Sequence, residues 1–136
     1  MGQVIALDTQ IFTYVLENHK IFGDSAFQII ERMEKGEFTG IFASIGIIEL
    51  LTGPKKRNRF SLAAEYQRRL AQYPNLIIKN LNEKNIDLAS SLRAKYNLRT
   101  PDAIHLATAI EAGANEFYTN DKQLKRVKEI KVKTLK

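Results

Sequence analysis

The sequence has 136 residues, 44% of them hydrophobic, which is enough for one domain with a buried core. It contains no cysteine and only two histidines, which excludes disulfides, thiolate catalysis and cysteine-containing zinc sites and leaves oxygen as the main ligand for any metal. Its apolar runs fall far short of the roughly 20 residues of a membrane span, so we expect a cytoplasmic protein with no membrane contact. The net charge of +6 fits either a polyanionic partner or solvated faces that aid solubility.

Strands and helices alternate from the start of the chain. The predicted segments of the first half are, in order, a buried strand over residues 4–7, a helix over 11–18, a helix over 24–35, a strand over 39–43 and a helix over 45–52. Ser44 is the expected N-cap of the last of these helices, and Gly53-Pro54 is its expected end. A basic loop over residues 54–59 follows.

The second half continues this alternation and ends in an edge strand. Its predicted segments are a helix over residues 61–73, a strand over 76–79, a helix over 83–96, a helix from 100 to about 112, a strand over 116–119, a helical turn over 122–127 and a strand over 130–135. Thr100 is a suitable N-cap, Pro101 suits the first turn, and Gly113 marks the end of that helix. We predict a single α/β domain over residues 1–136, with a mainly parallel sheet of about five strands and helices on both faces.

Four acidic residues stand out by their positions. Asp8 and Asp121 directly follow predicted strands, Asp102 lies in the first turn of an apolar helix, and Glu49 lies among apolar residues of another helix. Open α/β sheets bind their ligands at the carboxyl ends of the strands, which favours a functional role. Three of them also have an ordinary structural explanation: Asp8 can cap the next helix, Asp102 can interact with the helix dipole, and Glu49 can face solvent or form a salt bridge.

Carboxylates that lie close together repel one another, and a bound cation relieves this repulsion. Mg²⁺ or Mn²⁺ held by oxygen can activate water and neutralise charge on a phosphate. Basic residues cluster after the third predicted helix and again near the end of the chain. Those that we expect to contact nucleic acid are Lys55, Lys56, Arg57, Arg59 and Lys122. The combination of acids and basic clusters predicts hydrolysis of phosphodiester bonds in nucleic acid.

Four short motifs, in this order, resemble the PIN-domain ribonucleases and especially their VapC-type toxins. They are Leu7-Asp8-Thr9, Ile48-Glu49-Leu50, the run TPDAIHLA at residues 100–107, and Thr119-Asn120-Asp121. The resemblance implies a PIN-like fold and an endoribonuclease that depends on Mg²⁺ or Mn²⁺. It also implies that the metal is bound by Asp8, Glu49, Asp102 and Asp121, and that these acids are oriented from behind by Thr9, Thr119 and Asn120.

A VapC-type toxin is expected to cut RNA, to form a homodimer and to be held inactive by a cognate antitoxin protein. Two alternatives stay open: a housekeeping nuclease that matures ribosomal or transfer RNA, and a non-catalytic RNA-binding or assembly module that keeps the acids for structure. Other α/β classes lack their signatures. Gln10 stands where a haloacid-dehalogenase-type phosphatase has its second aspartate, and the glycine-rich nucleotide-binding motifs are absent.

Neither histidine is expected to take part in the chemistry. His105 lies on the apolar helix within the third motif, and we interpret it as a packing residue with one satisfied nitrogen rather than a proton shuttle. His19 lies in a predicted loop between polar neighbours, where we expect it to be simply solvated.

Overall fold

Strands and helices alternate through residues 2–135, which are the residues that the computed structural model describes. The strands are β1 (Gln3–Leu7), β2 (Phe38–Ala43), β3 (Leu76–Lys79), β4 (Glu116–Thr119) and β5 (Lys131–Thr134). The helices are α1 (Thr9–Leu16), α2 (Gly23–Glu34), α3 (Ile45–Lys56), α4 (Phe60–Gln72), α5 (Glu83–Tyr96) and α6 (Thr100–Glu111), with a 3₁₀ helix at Lys122–Arg126. Within the described residues, none of the helices is both long and apolar enough to cross a membrane.

The five strands form one parallel sheet in the order β3-β2-β1-β4-β5. β1 lies in the middle, where Ile5 is opposite Gly40 of β2 on one side and Glu116 of β4 on the other. The chain runs outward from β1 through β2 to β3 and then returns to β4 on the opposite side of β1. Such a reversal of strand order opens a crevice at the carboxyl ends of the two strands between which it occurs, here β1 and β4.

Each face of the sheet is buried in its own core, because successive side chains of a strand point to opposite faces. Ile5 and Leu7 of β1 pack into a core with residues from α1, α2, α3 and α4. Ala6, between them, packs into a second core with residues from α5 and α6. The predicted fold class is therefore confirmed: an α/β fold with helices on both faces of a five-stranded sheet, which is parallel throughout.

The predicted end of α3 is wrong. The helix continues past Gly53 to Lys56 and contains Pro54. A proline this close to the end of a helix removes only one hydrogen bond of the last turns, and the helix stops when Asn58 takes the left-handed conformation at φ 57°. Lys55 and Lys56 thus lie on the last turn of α3 rather than in a loop.

One predicted N-cap is wrong, and another lies at the predicted position but makes no capping bond. Thr100 is the first residue of α6, and Arg99 precedes it as the cap without a side-chain hydrogen bond to the helix backbone. Ser44 has helical backbone angles and makes no side-chain capping bond to α3. Thr100 is thus misplaced by one residue, whereas Ser44 is the cap residue of α3 as predicted but lacks the extended backbone with which a serine side chain makes a capping bond.

His19 is a structural residue rather than a simply solvated one. Its Nδ1 accepts hydrogen bonds from the backbone N–H groups of Ile21 and Phe22, at 3.2 and 3.1 Å. Its ring stacks on that of Phe22 and lies 4.8 Å from the ring of Tyr14, measured between centroids. Phe22 is the cap residue of α2 and has no side-chain acceptor, so His19 satisfies N–H groups where that helix begins.

Candidate active site

Three separate elements bring acidic side chains to one cleft at the carboxyl edge of the sheet. Asp8 follows β1 directly, Glu49 lies on α3, which follows β2, and Asp102 lies in the first turn of α6. The cleft has a volume of about 250 Å³ and is lined by these acids together with Thr9, Gln10, Thr13, Tyr14 and Arg99. The structure thus brings together three of the four predicted acids, from positions 8, 49 and 102.

Asp8 is the buried member of this group, with 6% of the residue exposed. It caps α1, with Oδ1 accepting a hydrogen bond from the N–H of Thr9 at 2.8 Å. Its Oδ2 accepts a hydrogen bond from the Thr119 hydroxyl at 2.7 Å. Burial raises the pKa of Asp8, and it outweighs the opposite effects of His105 and of these hydrogen bonds. The ionised carboxylate is therefore held at a cost, which a cation nearby reduces.

Glu49 is held by a buried histidine and a threonine. His105 Nε2 lies 2.8 Å from Glu49 Oε1, and the Thr9 hydroxyl donates to the same oxygen at 2.7 Å. An ionised carboxylate only accepts hydrogen bonds, so Nε2 carries the proton that it donates to Glu49. The hydrogen bond from His105 is the main cause of the lowered pKa of Glu49. Burial opposes the charged form of His105, but Glu49 and Asp8 outweigh it and raise the pKa of His105.

His105 is thus more than the packing residue that the sequence predicted. The ring does pack in the core, buried and stacked against Phe42 at a centroid distance of 6.1 Å. Its Nε2 also contacts Thr9 and Glu49 and lies 3.9 Å from Asp8 Oδ1. It therefore lies between Asp8 and Glu49.

Asp102 is paired with an arginine one turn earlier. Arg99 donates from Nε to Asp102 Oδ2 at 3.0 Å and from Nη2 to Asp102 Oδ1 at 3.3 Å, a two-pronged ion pair. The Asp102 side chain is 13% exposed, whereas that of Arg99 is 76% exposed. A cation from the protein itself therefore already contacts one acid of the cleft.

Asp121, the fourth predicted acid, is separated from this cleft in the structure. It lines a smaller adjoining cleft of about 120 Å³, which Arg99 and Asp102 also border. Its side chain caps the 3₁₀ helix by accepting a hydrogen bond from the N–H of Gln123 at 3.0 Å. Its backbone N–H donates to the Thr119 hydroxyl, which in turn donates to Asp8. Thr119 thus connects the two clefts through a buried hydrogen-bond chain.

The three residues expected to orient the acids differ in what they contact. Thr9 and Thr119 each donate directly to an acid, Glu49 and Asp8 respectively. Asn120 contacts none of the acids. Its backbone N–H donates to Gln10 Oε1 at 2.7 Å, and its side chain donates to the hydroxyl of Tyr14 at 3.0 Å. Asn120 therefore positions two other residues that line the cleft.

The basic residues predicted to contact nucleic acid lie outside both clefts. All of them are exposed, namely Lys55, Lys56, Arg57, Arg59 and Lys122. Lys55 and Lys56 are on the last turn of α3, the helix that carries Glu49, and Lys122 directly follows Asp121. Their part in binding stays a prediction.

The side chains suit a hard divalent cation by chemistry but are not closed around one. Carboxylate oxygens are the ligands that Mg²⁺ and Mn²⁺ prefer, and the buried Asp8 lies where positive charge is favourable. Within residues 2–135, however, no three His, Asp or Glu side chains are already arranged to hold a metal ion. The Glu49 carboxylate instead binds His105, and the Asp102 carboxylate binds Arg99. A metal at Asp102 therefore competes with Arg99 for the same carboxylate.

Comparison with known families shows what this architecture is. The PIN domain family model matches residues 5–130 of the chain. The chain belongs to the PIN domain family. Among curated proteins, none matches this PIN domain significantly.

Solved structures share the fold of this PIN domain over nearly its whole length. VapBC2 from Rickettsia felis, bound to a DNA fragment from its promoter, has a TM-score of 0.77 at 22% identity, over 98% of this chain and 100% of that chain. A toxin–antitoxin complex from Klebsiella pneumoniae has a TM-score of 0.69 at 23% identity, over 93% and 94%. VapC20 from Mycobacterium tuberculosis, a toxin that cleaves the sarcin-ricin loop, has a TM-score of 0.72 at 11% identity, over 93% and 98%. At these identities the likeness establishes the fold alone.

The sequence prediction missed four residues that line the cleft of this PIN domain, namely Gln10, Thr13, Tyr14 and Arg99. Gln10 was noted only as the residue that rules out another enzyme class, yet its Oε1 accepts hydrogen bonds from Asn120 N–H and the Thr119 hydroxyl. Arg99 was not considered at all. Its position three residues before Asp102 was the available signal, because residues at this spacing lie on the same side of a helix.

Proposed function

We propose that this PIN domain is a metal-dependent endoribonuclease, the toxin of a VapBC-type toxin–antitoxin pair, that acts in the cytoplasm with residues 1–136 as one nuclease domain. The observation that carries the proposal is the convergence of Asp8, Glu49 and Asp102 on one cleft of a PIN fold. Solved neighbours support the toxin assignment, because several are toxin–antitoxin complexes and one is a toxin that cleaves RNA at the sarcin-ricin loop.

The proposed metal ligands are Asp8, Glu49, Asp102 and Asp121, with Mg²⁺ or Mn²⁺ as the ion. When bound, such an ion supplies activation of the attacking water and neutralisation of charge at the leaving oxygen. Asp8 holds its carboxylate at a fixed place because Thr9 N–H and the Thr119 hydroxyl each bind one oxygen. His105 and Thr9 hold Glu49 from behind by a single oxygen, Oε1, which leaves Oε2 without a hydrogen bond from either residue.

The first test is cleavage of a mixed RNA pool by the purified protein with Mn²⁺ or Mg²⁺ and with a chelator. Asp8→Asn and Asp102→Asn variants run in parallel. We expect metal-dependent cutting that both variants lose. Equal cutting by the variants contradicts the proposed site, because the activity then comes from other residues or a contaminant. If the protein binds RNA but leaves it intact, the result favours the non-catalytic RNA-binding module over the nuclease.

A second experiment tests the toxin assignment and the proposed partners. We expect the protein to arrest growth when expressed alone, to form a homodimer, and to purify in a complex with the neighbouring gene product. Growth arrest should be relieved when both proteins are expressed together. RNA cleavage with neither a complex nor growth arrest favours the housekeeping nuclease instead.

The exposed basic residues of α3 and the following turn should give RNA affinity a strong dependence on salt. Each lost phosphate contact lowers the slope of log K against log salt by about 0.7 for single-stranded RNA. We therefore expect a shallower slope for a combined Lys55→Ala and Lys56→Ala variant, measured by fluorescence anisotropy. Lys20→Ala with Lys35→Ala, in exposed lysines away from α3, is the control. An unchanged slope shows that Lys55 and Lys56 serve solubility only.

A further inference from the structure

Arg99 occupies an unusual place among the residues of the two clefts. It borders both of them, and its guanidinium holds Asp102 while most of the side chain stays in solvent. Its positive charge also interacts with Asp121 and Glu49. One exposed arginine is thus within electrostatic reach of three of the four proposed metal ligands.

Among the described residues, the other cation that borders these clefts is Arg126, which binds two backbone carbonyls. Arg126 donates from Nη1 to the carbonyl of Gln123 and from Nη2 to the carbonyl of Tyr96, both at 2.8 Å. Arg99 instead has a carboxylate as its partner, and a carboxylate can exchange an arginine for another cation. An arginine released from a carboxylate has a planar fork of donors that matches a phosphate equally well.

We propose that Arg99 changes partner during the reaction cycle, holding Asp102 in the metal-free protein and an RNA phosphate beside the cleft once a divalent cation binds Asp102. Arg99 is in this view a positioning residue that links metal binding to substrate binding. In the metal-free protein its charge offsets the repulsion between Asp102 and the neighbouring acids. In the loaded protein the same charge meets the negative backbone of the RNA. The RNA-binding step of this inference rests on the proposed ribonuclease function, whereas the metal-binding step does not.

The proposed exchange of partners predicts that one substitution, Arg99→Ala, strengthens metal binding and weakens RNA binding. Arg99→Ala removes a cation that competes for Asp102, so we expect Mn²⁺ to bind about two- to five-fold more tightly by calorimetry in the absence of RNA, the range of a largely exposed ion pair. The same substitution removes a phosphate contact, so RNA binding should weaken and its salt slope should fall by about 0.7. RNA binding is measured by anisotropy with Ca²⁺, a cation that also prefers carboxylate oxygen, and a gel verifies that the RNA is intact.

Three further variants separate exchange from a merely structural role. Arg68→Ala is the matched control, because Arg68 forms an exposed ion pair with Glu65 three residues away on α4 and borders neither cleft. It should leave both measurements unchanged. Arg99→Lys keeps the charge without the fork and should fall between wild type and Arg99→Ala. Arg99→Ala added to Asp102→Asn should raise Mn²⁺ affinity less than Arg99→Ala does in the wild type, because the contested carboxylate is gone and only the weaker interactions of Arg99 with Asp121 and Glu49 remain.

The two proposals fail in different ways. If the wild type cuts RNA but Arg99→Ala matches Arg68→Ala in Mn²⁺ affinity and in salt slope, the partner exchange is wrong and the nuclease stands. If Arg99→Ala weakens Mn²⁺ and RNA binding together, Arg99 stabilises the site as a structural residue and the exchange is again overturned. If Mn²⁺ binds more tightly but the wild type binds no RNA, competition at Asp102 is supported, while the phosphate step and the ribonuclease function are both contradicted.

Discussion

The cleft has an inner wall and an outer rim that are built differently. The inner wall comprises Asp8, Thr9, His105 and Thr119, which are all buried and joined by hydrogen bonds to one another or to Glu49. The outer rim comprises Arg99, Asp102 and Asp121, held by an ion pair whose arginine is mostly exposed and by a cap on a short 3₁₀ helix. The inner wall is therefore fixed by the core, whereas the outer rim can exchange partners without disturbing packing.

This difference separates two ways of tuning an acidic site. A buried carboxylate such as Asp8 is kept at a precise position, but its ionised form costs stability when the cation is absent. A carboxylate such as Asp102, whose side chain is 13% exposed but paired with an exposed arginine, costs less because that arginine neutralises it, but a ligand then competes with the arginine. Removing the charge of Asp8 and removing that of Asp102 should therefore change stability in opposite directions, while both impair cleavage.

The largest expected effect is that of Asp8→Asn. Cleavage should fall by at least about 100-fold because a charged ligand is lost, yet the metal-free protein should gain about 1 kcal/mol in free energy of unfolding. Asparagine keeps the cap on α1, since it is as good an N-cap as aspartate. The measurement is chemical denaturation with chelator at pH 7, alongside RNA cleavage with Mn²⁺.

The pH dependence of this gain checks its cause. Because burial raises the folded pKa of Asp8 above 3.8, the ionised group destabilises the fold above that raised pKa, and the penalty disappears as both states become protonated below 3.8. The advantage of Asp8→Asn should therefore shrink toward acidic pH.

Asp102→Asn is the matched variant of the outer rim. It should lose less than about 1 kcal/mol in free energy of unfolding, because the ion pair of Asp102 and its interaction with the helix dipole are lost. A gain of equal size in both variants contradicts the distinction.

Thr119→Val tests the support of the inner wall. Thr119 is fully buried, and its hydroxyl both donates to Asp8 and accepts from the N–H of Asp121. Valine leaves both groups without this partner, which should cost about 1–3 kcal/mol in stability and about 10- to 100-fold in cleavage. Thr119→Ser keeps the hydroxyl and should recover most of the cleavage rate. A serine variant as inactive as the valine one shows that the methyl packing, not the hydrogen bonds, matters.

Gly46→Ala tests the packing behind Glu49 with a smaller effect. A Cβ at Gly46 would lie 2.4 Å from Cζ of Phe42 and 2.7 Å from the hydroxyl oxygen of Thr9, so both residues must shift. We expect a loss of roughly 1 kcal/mol or more in stability and a lower cleavage rate, because Thr9 holds Glu49. Gly53→Ala is the control in the same helix, since its Cβ meets only Arg57 at 3.7 Å. It should be neutral or stabilising by up to about 1 kcal/mol.

Structural features that depend on residues close together in the sequence could be predicted, whereas features that depend on tertiary contacts could not. The strand exits at Asp8 and Asp121 could be predicted, because an apolar run followed by a polar residue is a local pattern. The parallel sheet follows from the alternation of such strands with helices. The continuation of α3 through Pro54 could not be predicted, because a buried proline in a last turn depends on its surroundings more than on its neighbours in sequence.

The site shows the same limit. Glu49 and His105 are 56 residues apart, and only the packing of α3 beside α6 makes their hydrogen bond. The sequence indicated both residues through their motifs and predicted His105 as a packing residue with one satisfied nitrogen, but it did not identify Glu49 as the partner of that nitrogen. The link from Asp121 through Thr119 to Asp8 likewise spans β4 and β1. Arg99 was different, because its pairing with Asp102 within one helical turn is local and could have been predicted.

The smallest expected effect is the pH dependence of the pair between Glu49 and His105. Because His105 lowers the pKa of Glu49, the stability from Glu49 is present above its ordinary value of 4.5 and is lost as pH falls through the lowered pKa. Burial opposes the charged form of His105, but Glu49 and Asp8 outweigh burial and raise its pKa. The contribution of His105 to stability is therefore complete below its ordinary value of 6.5 and is lost as pH rises through the raised pKa. The pair therefore stabilises the fold most between these two ordinary values.

Glu49→Gln should accordingly destabilise the metal-free protein most at about pH 5.5 and less at about pH 9, as the histidine loses its charge. The difference should stay below about 1 kcal/mol, because the Glu49 side chain is 38% exposed and solvent screens the pair. Denaturation with chelator at the two pH values measures it. Glu65→Gln is the control, since its partner Arg68 keeps its charge at both pH values and the loss should not change. An equal loss at both pH values for Glu49→Gln shows that His105 is neutral throughout and that the inner wall holds Glu49 by an uncharged hydrogen bond.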